Sequence, residues 1–328
     1  MKAAARALRP SAAGARRPSA ARALRRTRSW LLNAFLLVVL FSLGFIFLYP
    51  VLYMVSTSFK SPSDLVSPEV VWVPTGLDTM NYVVAAWGLH FWEALRSSTV
   101  LSLGSALLQT AACAVVGYGF ARYRFRGSGV LFLLVVFTFI VPPQTIVIPL
   151  FVQFARYGWL GTYLPFIVPS ALAQGLRGAL FVVIFRQFFS TLPWELDDSA
   201  RIDGLGGFGI FTRIMLPLSR SAVLVVFLFS LVWHWNDHFF PAIYLQPADA
   251  PLSVRLASLW TEVRKAFVIK GRLVSAATGT NAYLDAVTSR NEGVGMAGCM
   301  LVIVVPLVLY AFLQRFFTES IERTGLVE

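Results

Sequence analysis

Residues 190–217 read STLPWELDDSARIDGLGGFGIFTRIMLP and lie between two long apolar runs. This short internal segment holds four of the chain's 16 acidic side chains, Glu195, Asp197, Asp198 and Asp203. An acidic, glycine-rich segment is conspicuous in a chain that is otherwise strongly hydrophobic. Its role depends on whether the chain spans a membrane and on which side of that membrane the segment lies. The composition of the chain bears on the first question.

The composition predicts an all-α integral membrane protein. Of the 328 residues, 57% are hydrophobic and 13% are charged, and the mean hydropathy is +0.69. Soluble domains average about 25% charged residues. Several runs exceed the roughly 18–20 apolar residues that a membrane-spanning helix needs. We predict six transmembrane helices, at about 30–56, 95–120, 130–152, 163–189, 219–245 and 294–317.

The distribution of positive charge predicts the orientation. The first 28 residues hold nine basic side chains and no acid. We interpret residues 1–29 as a disordered cytoplasmic tail that fixes topology, with contact to anionic membrane lipid as an additional role and no nucleic acid partner. Residues 30–328 form the membrane domain. The loop 121–129 carries three arginines and no acid, and therefore faces the cytoplasm as well.

It follows that both termini and residues 190–218 are cytoplasmic, whereas loops 57–94 and 246–293 are external. Loop 57–94 has turn residues and room for one short helix, and the polar part of loop 246–293 is predicted to be mobile.

Within residues 190–218, which we call the knob, local signals predict a helix–turn–helix. Pro193 suits a first helical turn, acidic residues favour that turn, and Gly204 suits the left-handed residue that ends a helix. We predict a helix over 193–203 and a second short helix before Pro217. The knob also carries apolar residues that a solvated connector does not need, Leu196, Ala200, Ile202, Phe208, Phe211 and Ile214. They indicate either a docking surface for a partner or packing beneath the chain's own membrane helices.

The knob sequence DDSARIDGLGGFGIFTRIMLP resembles the EAA loop of ABC transporter permeases, and its Asp–Gly pair resembles the sugar-importer branch, of maltose type. In that pattern Glu-Ala-Ala is followed by Gly and then by Ile-x-Leu-Pro; here Asp198 and Ser199 replace Glu and the first Ala. HWNDHFFPAIYL and LQRFFTESIERTGLVE resemble further segments of the same permeases. The coupling positions that the resemblance implies are Glu195, Asp198, Ser199, Ala200, Asp203, Gly204, Ile214, Leu216 and Pro217.

The resemblance implies a type I ABC importer permease fold and a multi-pass subunit of the bacterial cytoplasmic membrane. The knob would then be a coupling helix that docks on ABC ATPase subunits. Further implied partners are a second homologous permease, an extracytoplasmic solute-binding protein and a sugar substrate. The chain itself is expected to be no enzyme and to hold no cofactor, since none of its four lysines follows a glycine as a phosphate-binding loop requires. ATP and Mg²⁺ would bind the separate ATPase.

Two other functional classes compete with this interpretation. A secondary transporter or channel working alone would need ion-coupling groups, and the predicted spans hold few ionisable residues. An intramembrane metalloprotease would need catalytic zinc spacing. His234 and His238 are spaced four residues apart but lack the glutamate of HExxH, so no metal site is predicted. Cys113 and Cys299 lie in apolar runs and are interpreted as core residues.

Polar and aromatic residues inside the predicted spans suggest a translocation pathway, for which the candidates are Arg177, Trp233, Trp235, Asn236 and Asp237. The alternative is that Asn236 and Asp237 cap or pair structural groups. Arg177 could snorkel, line the pathway or form an ion pair with Asp237. Pro142 and Pro143 are predicted to break the third span.

Overall fold

The computed structural model describes the backbone of residues 20–70, 72–278 and 291–324, and the side chains within 30–70, 72–265 and 292–315. Helices dominate, and these ranges contain no strand. The chain divides into two compact units, Met1–Tyr53 and Met54–Glu328.

Helix α1 (Ala20–Ser58) makes up the described part of the first unit and continues into the second. It starts ten residues before the predicted boundary at residue 30, so residues 20–29 are helical and the tail prediction is corrected there. The rest of the predicted tail lies outside the described residues. Between Trp30 and Tyr49 nearly every side chain is exposed, and this apolar surface suits a lipid environment.

The second unit contains fourteen further helices within the described ranges, some of them very short. They are α2 (Pro62–Val66), α3 (Met80–Gly88), α4 (Phe91–Arg122), α5 (Ser128–Ile140), α6 (Val147–Arg156), α7 (Leu164–Ala171), α8 (Gly178–Thr191), α9 (Glu195–Ile202), α10 (Gly207–Ile210), α11 (Leu216–Leu218), α12 (Arg220–Asn236), α13 (Phe239–Tyr244), α14 (Leu252–Thr278) and α15 (Asn291–Thr324). Short 3₁₀ turns at Pro143–Ile146 and Pro247–Asp249 and a π-helical turn at Phe211–Met215 complete the path.

Three described helices are long and apolar enough to cross a membrane: α1, α4 and α15. Three bent pairs would raise that number to six if each pair is one span. The predicted break at Pro142 and Pro143 is confirmed, since α5 ends at Ile140 and the chain turns by 93°. The fourth and fifth predicted spans are not continuous helices either. The fourth is interrupted at residues 172–177 and the fifth at Asp237 and His238.

Helix α4 lies at the centre of the second unit and packs against α7, α8 and α12. The crossing with α8 is close because Gly117 has no side chain. A Cβ at Gly117 would lie 2.5 Å from the Phe185 Cβ and 2.9 Å from the backbone nitrogen of Arg186. Small residues permit this approach of two backbones inside a membrane. The close contact with α4 fixes the position and direction of α8, and α8 leads directly into the knob.

Replacing Gly117 with alanine should therefore destabilise the fold by about 1–3 kcal/mol, because the added methyl group overlaps a Cβ and a backbone nitrogen rather than the flexible end of a side chain. Thermal unfolding of the purified protein in detergent measures this. Gly119→Ala is the matched control, because a methyl group on that residue of the same helix meets no described atom within 4 Å. Equal melting temperatures for the two variants would show that the crossing is not tightly packed.

The segment 57–94, which is predicted to be external, holds two short helices, α2 and α3, where one was predicted. The Thr75 hydroxyl donates to Asp64 at 2.7 Å and is the main reason that the pKa of this carboxyl lies below its usual value. In segment 246–293 the structure contains a long helix, α14, that ends at Thr278. The sequence predicts no helix in this segment. Residues 279–290 lie outside the described residues.

Candidate functional site

The knob has the helix–turn–helix form that the sequence predicts. Its first helix, α9, lies within the predicted range 193–203, and Gly204 follows with a φ of +82°. Only glycine adopts that backbone conformation without strain. The return arm is α10, the π-helical turn and α11. Helix α9 meets α8 at 76°, and the arm 207–218 meets α12 at 81°, so both arms lie steeply across the helices that carry them.

The apolar residues of the knob divide into two groups. Ala200 and Phe211 are buried in one core with α4, α8 and α12, and Leu196 and Ile214 pack against that core. Ile202 and Phe208 remain 87% and 77% exposed. The two alternatives drawn from the sequence therefore apply to different residues. Packing under the membrane helices accounts for the first group, and the docking alternative applies only to the second, exposed group.

The predicted coupling positions lie mainly on the outer side of the knob. Ala200 is buried, while Ile214 and Leu216 are half-buried against the core. The remaining positions are exposed: Glu195, Asp198, Ser199, Asp203, Gly204 and Pro217. The outer side of α9 thus presents carboxylates next to the apolar side chain of Ile202. This is a surface with both charge and apolar area, as partner-binding surfaces have.

A buried ion pair that the sequence analysis missed attaches the knob to α4. Arg122 Nη1 lies 3.4 Å from Asp197 Oδ2, and each side chain is 1% exposed. The Tyr118 hydroxyl, one turn earlier on α4, donates to the other carboxylate oxygen at 3.4 Å. Removing one partner of a buried pair leaves an uncompensated charge, which costs about 3–5 kcal/mol. The pair therefore holds α9 strongly in place.

Arg122 also contacts the segment that leads into α9. Its Nη2 donates to the carbonyl oxygens of Leu192 at 2.9 Å and Pro193 at 3.3 Å, and its guanidinium lies 4.7 Å from the centroid of the Trp194 ring. One side chain thus fixes the entry, the first turn and the buried face of the knob helix. We call Arg122, Asp197 and these contacts the knob anchor.

A signal for the anchor was present in the sequence. Leu196 and Ala200 define the apolar face of the predicted helix, and Asp197 lies on the same side. An acid on an apolar helix face requires a buried partner. From the sequence, Arg122 is interpreted only as a topology-determining charge.

The second polar region is the break between α7 and α8, residues 172–177. Ala173 and Arg177 have φ values of +60° and +58°, which non-glycine residues rarely adopt. Irregular backbone at membrane depth must find hydrogen-bond partners within the protein. The Gln109 side chain on α4 supplies one, donating to the Leu176 carbonyl at 2.9 Å while it accepts from the Ser230 hydroxyl at 2.7 Å.

Arg177 is the last residue of this break, and its guanidinium lies 4.9 Å from the centroid of the Trp233 ring on α12. The hypothesis of an ion pair with Asp237 is wrong. The Asp237 carboxylate instead accepts from the backbone N–H groups of Phe239 at 3.0 Å and Phe240 at 3.3 Å, and so caps α13. The capping alternative for Asp237 agrees with the structure.

Of the other pathway candidates, Asn236 is exposed, whereas Trp235 is 5% exposed and donates to the Val302 carbonyl at 3.2 Å. Trp235 therefore belongs to the core between α12 and α15, and its place among pathway candidates is corrected. His234 is buried with Nδ1 2.8 Å from the Ser230 carbonyl oxygen, and His238 lies beyond the end of α12. The described residues contain no cluster of three potential metal ligands.

The cap predicts different outcomes for two substitutions of Asp237. Asp237→Ala should lower the stability by about 1 kcal/mol, because the two N–H groups lose their acceptor, and Asp237→Asn should be nearly neutral because asparagine also caps helices. Thermal unfolding in detergent and uptake by the reconstituted protein measure both effects. If Asp237→Asn lost uptake as completely as Asp237→Ala, the carboxylate charge itself would be required in the pathway.

Comparison with known proteins agrees with this arrangement. The family described as "Binding-protein-dependent transport system inner membrane component" matches residues 113–323. The arabinooligosaccharides transport system permease protein AraQ of Halalkalibacterium halodurans is 27% identical over 308 residues, covering 92% of this chain and 99% of AraQ. The polygalacturonan/rhamnogalacturonan transport system permease protein YtcP of Bacillus subtilis is 28% identical over 274 residues, covering 83% and 89%.

A solved structure has the same fold. The crystal structure of a bacterial ABC transporter involved in the import of the acidic polysaccharide alginate contains a chain that superposes with a TM-score of 0.68 at 21% identity, over 92% of this chain and 100% of that one. The resemblance to ABC transporter permeases that was stated from the knob sequence is therefore confirmed. Since the family match covers well over half of the residues, the chain belongs to the binding-protein-dependent transport system inner membrane components.

Proposed function

We propose that this chain is one of two permease subunits in an ATP-driven importer that moves a sugar or oligosaccharide into the cell. The observation that carries the proposal is the divided knob. Its inner face is fixed to α4 by the knob anchor, and its outer face leaves the Asp198 carboxylate and the Ile202 side chain exposed. A connector that served only the chain's own fold would have no use for that exposed face.

In this mechanism the knob docks on a cytoplasmic ATPase subunit, which binds ATP and Mg²⁺. Closure of the ATPase dimer displaces the knob, and the anchor transmits the displacement to α4. Because α4 packs against α7, α8 and α12, these helices move with it. The movement switches the helices between an inward-facing and an outward-facing arrangement. The translocation pathway is therefore open to one side of the membrane at a time. An extracytoplasmic binding protein delivers the substrate to the external face.

The substrate class follows from the similar proteins. AraQ and YtcP carry the names of saccharide transport systems. The polar break with Arg177 and Trp233 lies between helices that move in this mechanism, and supplies a candidate part of the pathway. Both termini are proposed to be cytoplasmic, with the knob on the same side.

The assembly can be tested by tagging this chain at its C-terminus, solubilising its native membrane gently and identifying the proteins that co-purify by mass spectrometry. The proposal expects an ABC ATPase and a second, homologous permease. A chain that purified alone and still transported solute after reconstitution would contradict the proposal and favour a secondary transporter.

A further inference from the structure

The break between α7 and α8 places a cation deep in the apolar region. Gly178, the residue after Arg177, lies 13 residues from the last residue of α8, Thr191. Trp233 lies 13 residues from the first residue of α12, Arg220. Both helices adjoin the knob, and at about 1.5 Å per residue each position lies ~20 Å along its helix. Arg177 and Trp233 are in contact, which agrees with their equal distances along the two helices. In a hydrocarbon core about 30 Å thick, this is well away from the cytoplasmic surface.

A charged side chain at this depth is costly, and such residues are rare unless they serve a pathway or a partner. The positive φ of Arg177 adds backbone strain at the same residue. Two unfavourable features thus coincide at one residue, and both would be relieved by glycine. Their coincidence indicates that the guanidinium group has a function that outweighs both.

The surrounding residues position the guanidinium but do not neutralise it. The hydrogen bond from Gln109 fixes the Leu176 carbonyl immediately before it. Trp233 is itself stacked against Phe181 and Phe229, with centroid separations of 5.4 Å and 5.7 Å, and so forms a rigid support for the cation. Among the described side chains Arg177 makes no salt bridge, and Asp237 accepts its two capping hydrogen bonds from backbone N–H groups through Oδ1.

The Arg177 side chain is exposed, so its N–H donors are accessible to a ligand. A planar guanidinium binds carboxylate and phosphate groups through two parallel hydrogen bonds. Asn236, also exposed, lies one turn further along α12 than Trp233 and can bond hydroxyl groups. An anion that also carries hydroxyl groups matches both residues.

We infer that Arg177 is a specificity-determining binding residue for an anionic saccharide, one that carries a carboxylate or a phosphate group. Trp233 acts as its positioning residue. This inference rests on the proposed function and adds the charge of the substrate to it. Neutral oligosaccharides would leave the guanidinium without a counter-charge during passage.

The test uses the complete complex in proteoliposomes, with its ATPase, second permease and binding protein. Uptake is compared for an oligogalacturonate, the same oligosaccharide with its carboxylates reduced to alcohols, and a phosphorylated disaccharide. We expect the wild type to import an anionic saccharide at least tenfold faster than the neutral one. Which anion is preferred identifies the group as carboxylate or phosphate.

The decisive variant is Arg177→Gly, which removes the charge and also relieves the strain at φ +58°. It should lower the ratio of anionic to neutral uptake by about 10- to 100-fold, the range expected for losing hydrogen bonds to a charged group. Ala173→Gly is the matched control, because it relieves the same type of strain at φ +60° without removing a charge, and should keep the wild-type ratio. Since every sample contains the same binding protein, a change in the ratio of anionic to neutral uptake is caused by the permease.

Four results would overturn the inference. Wild-type preference for the neutral saccharide, or an unchanged ratio in Arg177→Gly, would refute it and leave the importer function intact. A reduced amount of the second permease co-purifying with Arg177→Gly would show that the arginine pairs with an acid of that subunit. Failure of the assembled wild-type complex to import any saccharide would refute the proposed function as well.

Discussion

Arg122→Ala is expected to lower the amount of ATPase that co-purifies with the chain at least tenfold. The substitution removes the ion pair to Asp197, the hydrogen bonds to the Leu192 and Pro193 carbonyls and the contact with Trp194. It leaves a carboxylate buried without its partner, at a cost of about 3–5 kcal/mol. The knob would leave its position on α4, since releasing Asp197 to water requires α9 to move.

The measurement is the ratio of ATPase to permease after affinity purification, with thermal unfolding in detergent as a second readout. Arg124→Ala is the matched control, because Arg124 is an exposed arginine two residues beyond the end of α4. A double variant, Arg122→Met with Asp197→Leu, replaces the pair by apolar side chains and should recover most of the thermal stability. A wild-type ATPase ratio in Arg122→Ala would show that the anchor does not position the knob.

Gly204→Leu is expected to abolish ATP-driven transport, although the protein should still insert and fold. The φ of +82° makes any branched or long side chain strained there, by about 1–2 kcal/mol. That cost is small beside the second effect. A Cβ atom at Gly204 would meet no atom of the described chain within 4 Å, so we expect a leucine side chain to project outward into the space that a docked partner needs.

Two further variants separate strain from obstruction. Gly127→Leu introduces the same strain at φ +87°, also without neighbours in the described residues, but at a position outside the knob, and it should retain transport. Gly204→Asn is smaller and tolerates the left-handed conformation, so its loss should be partial. ATP-driven uptake by the reconstituted complex measures all three. Equal losses in Gly204→Leu and Gly127→Leu would assign the effect to strain and remove Gly204 from the docking surface.

The knob was predictable because its signals are local. Pro193, the first-turn acids and Gly204 are close in sequence, and each has a stated conformational preference, so the helix over 193–203 and its end followed from them. The break at Pro142 followed in the same way, from the missing backbone N–H of proline. Family membership followed from residues of the same short segment.

The break between α7 and α8 and the partner of Asp197 in the knob anchor could not be predicted in this way, because they depend on contacts distant in sequence. Gln109 bonds a carbonyl 67 residues away, and Arg122 bonds one 70 residues away. The residues LAQGLR at 172–177 carry no proline and are flanked by apolar residues on both sides, so the sequence predicts one continuous span there. Trp235 was misassigned because an indole that stacks on a sugar and one that donates to a buried carbonyl have the same sequence context.

The claim that the exposed face of the knob docks on the ATPase can be measured by photocrosslinking in native membranes. A photoreactive amino acid replaces Ile202, which is 87% exposed on the knob, and in a second sample it replaces Val73, which is 78% exposed in segment 57–94, on the side proposed to be external. We predict that the position-202 sample forms a crosslink with an ABC ATPase subunit and that the position-73 sample does not. Absence of an ATPase crosslink from position 202, with one formed from position 73, would contradict both the docking role of the knob and the proposed orientation of the chain.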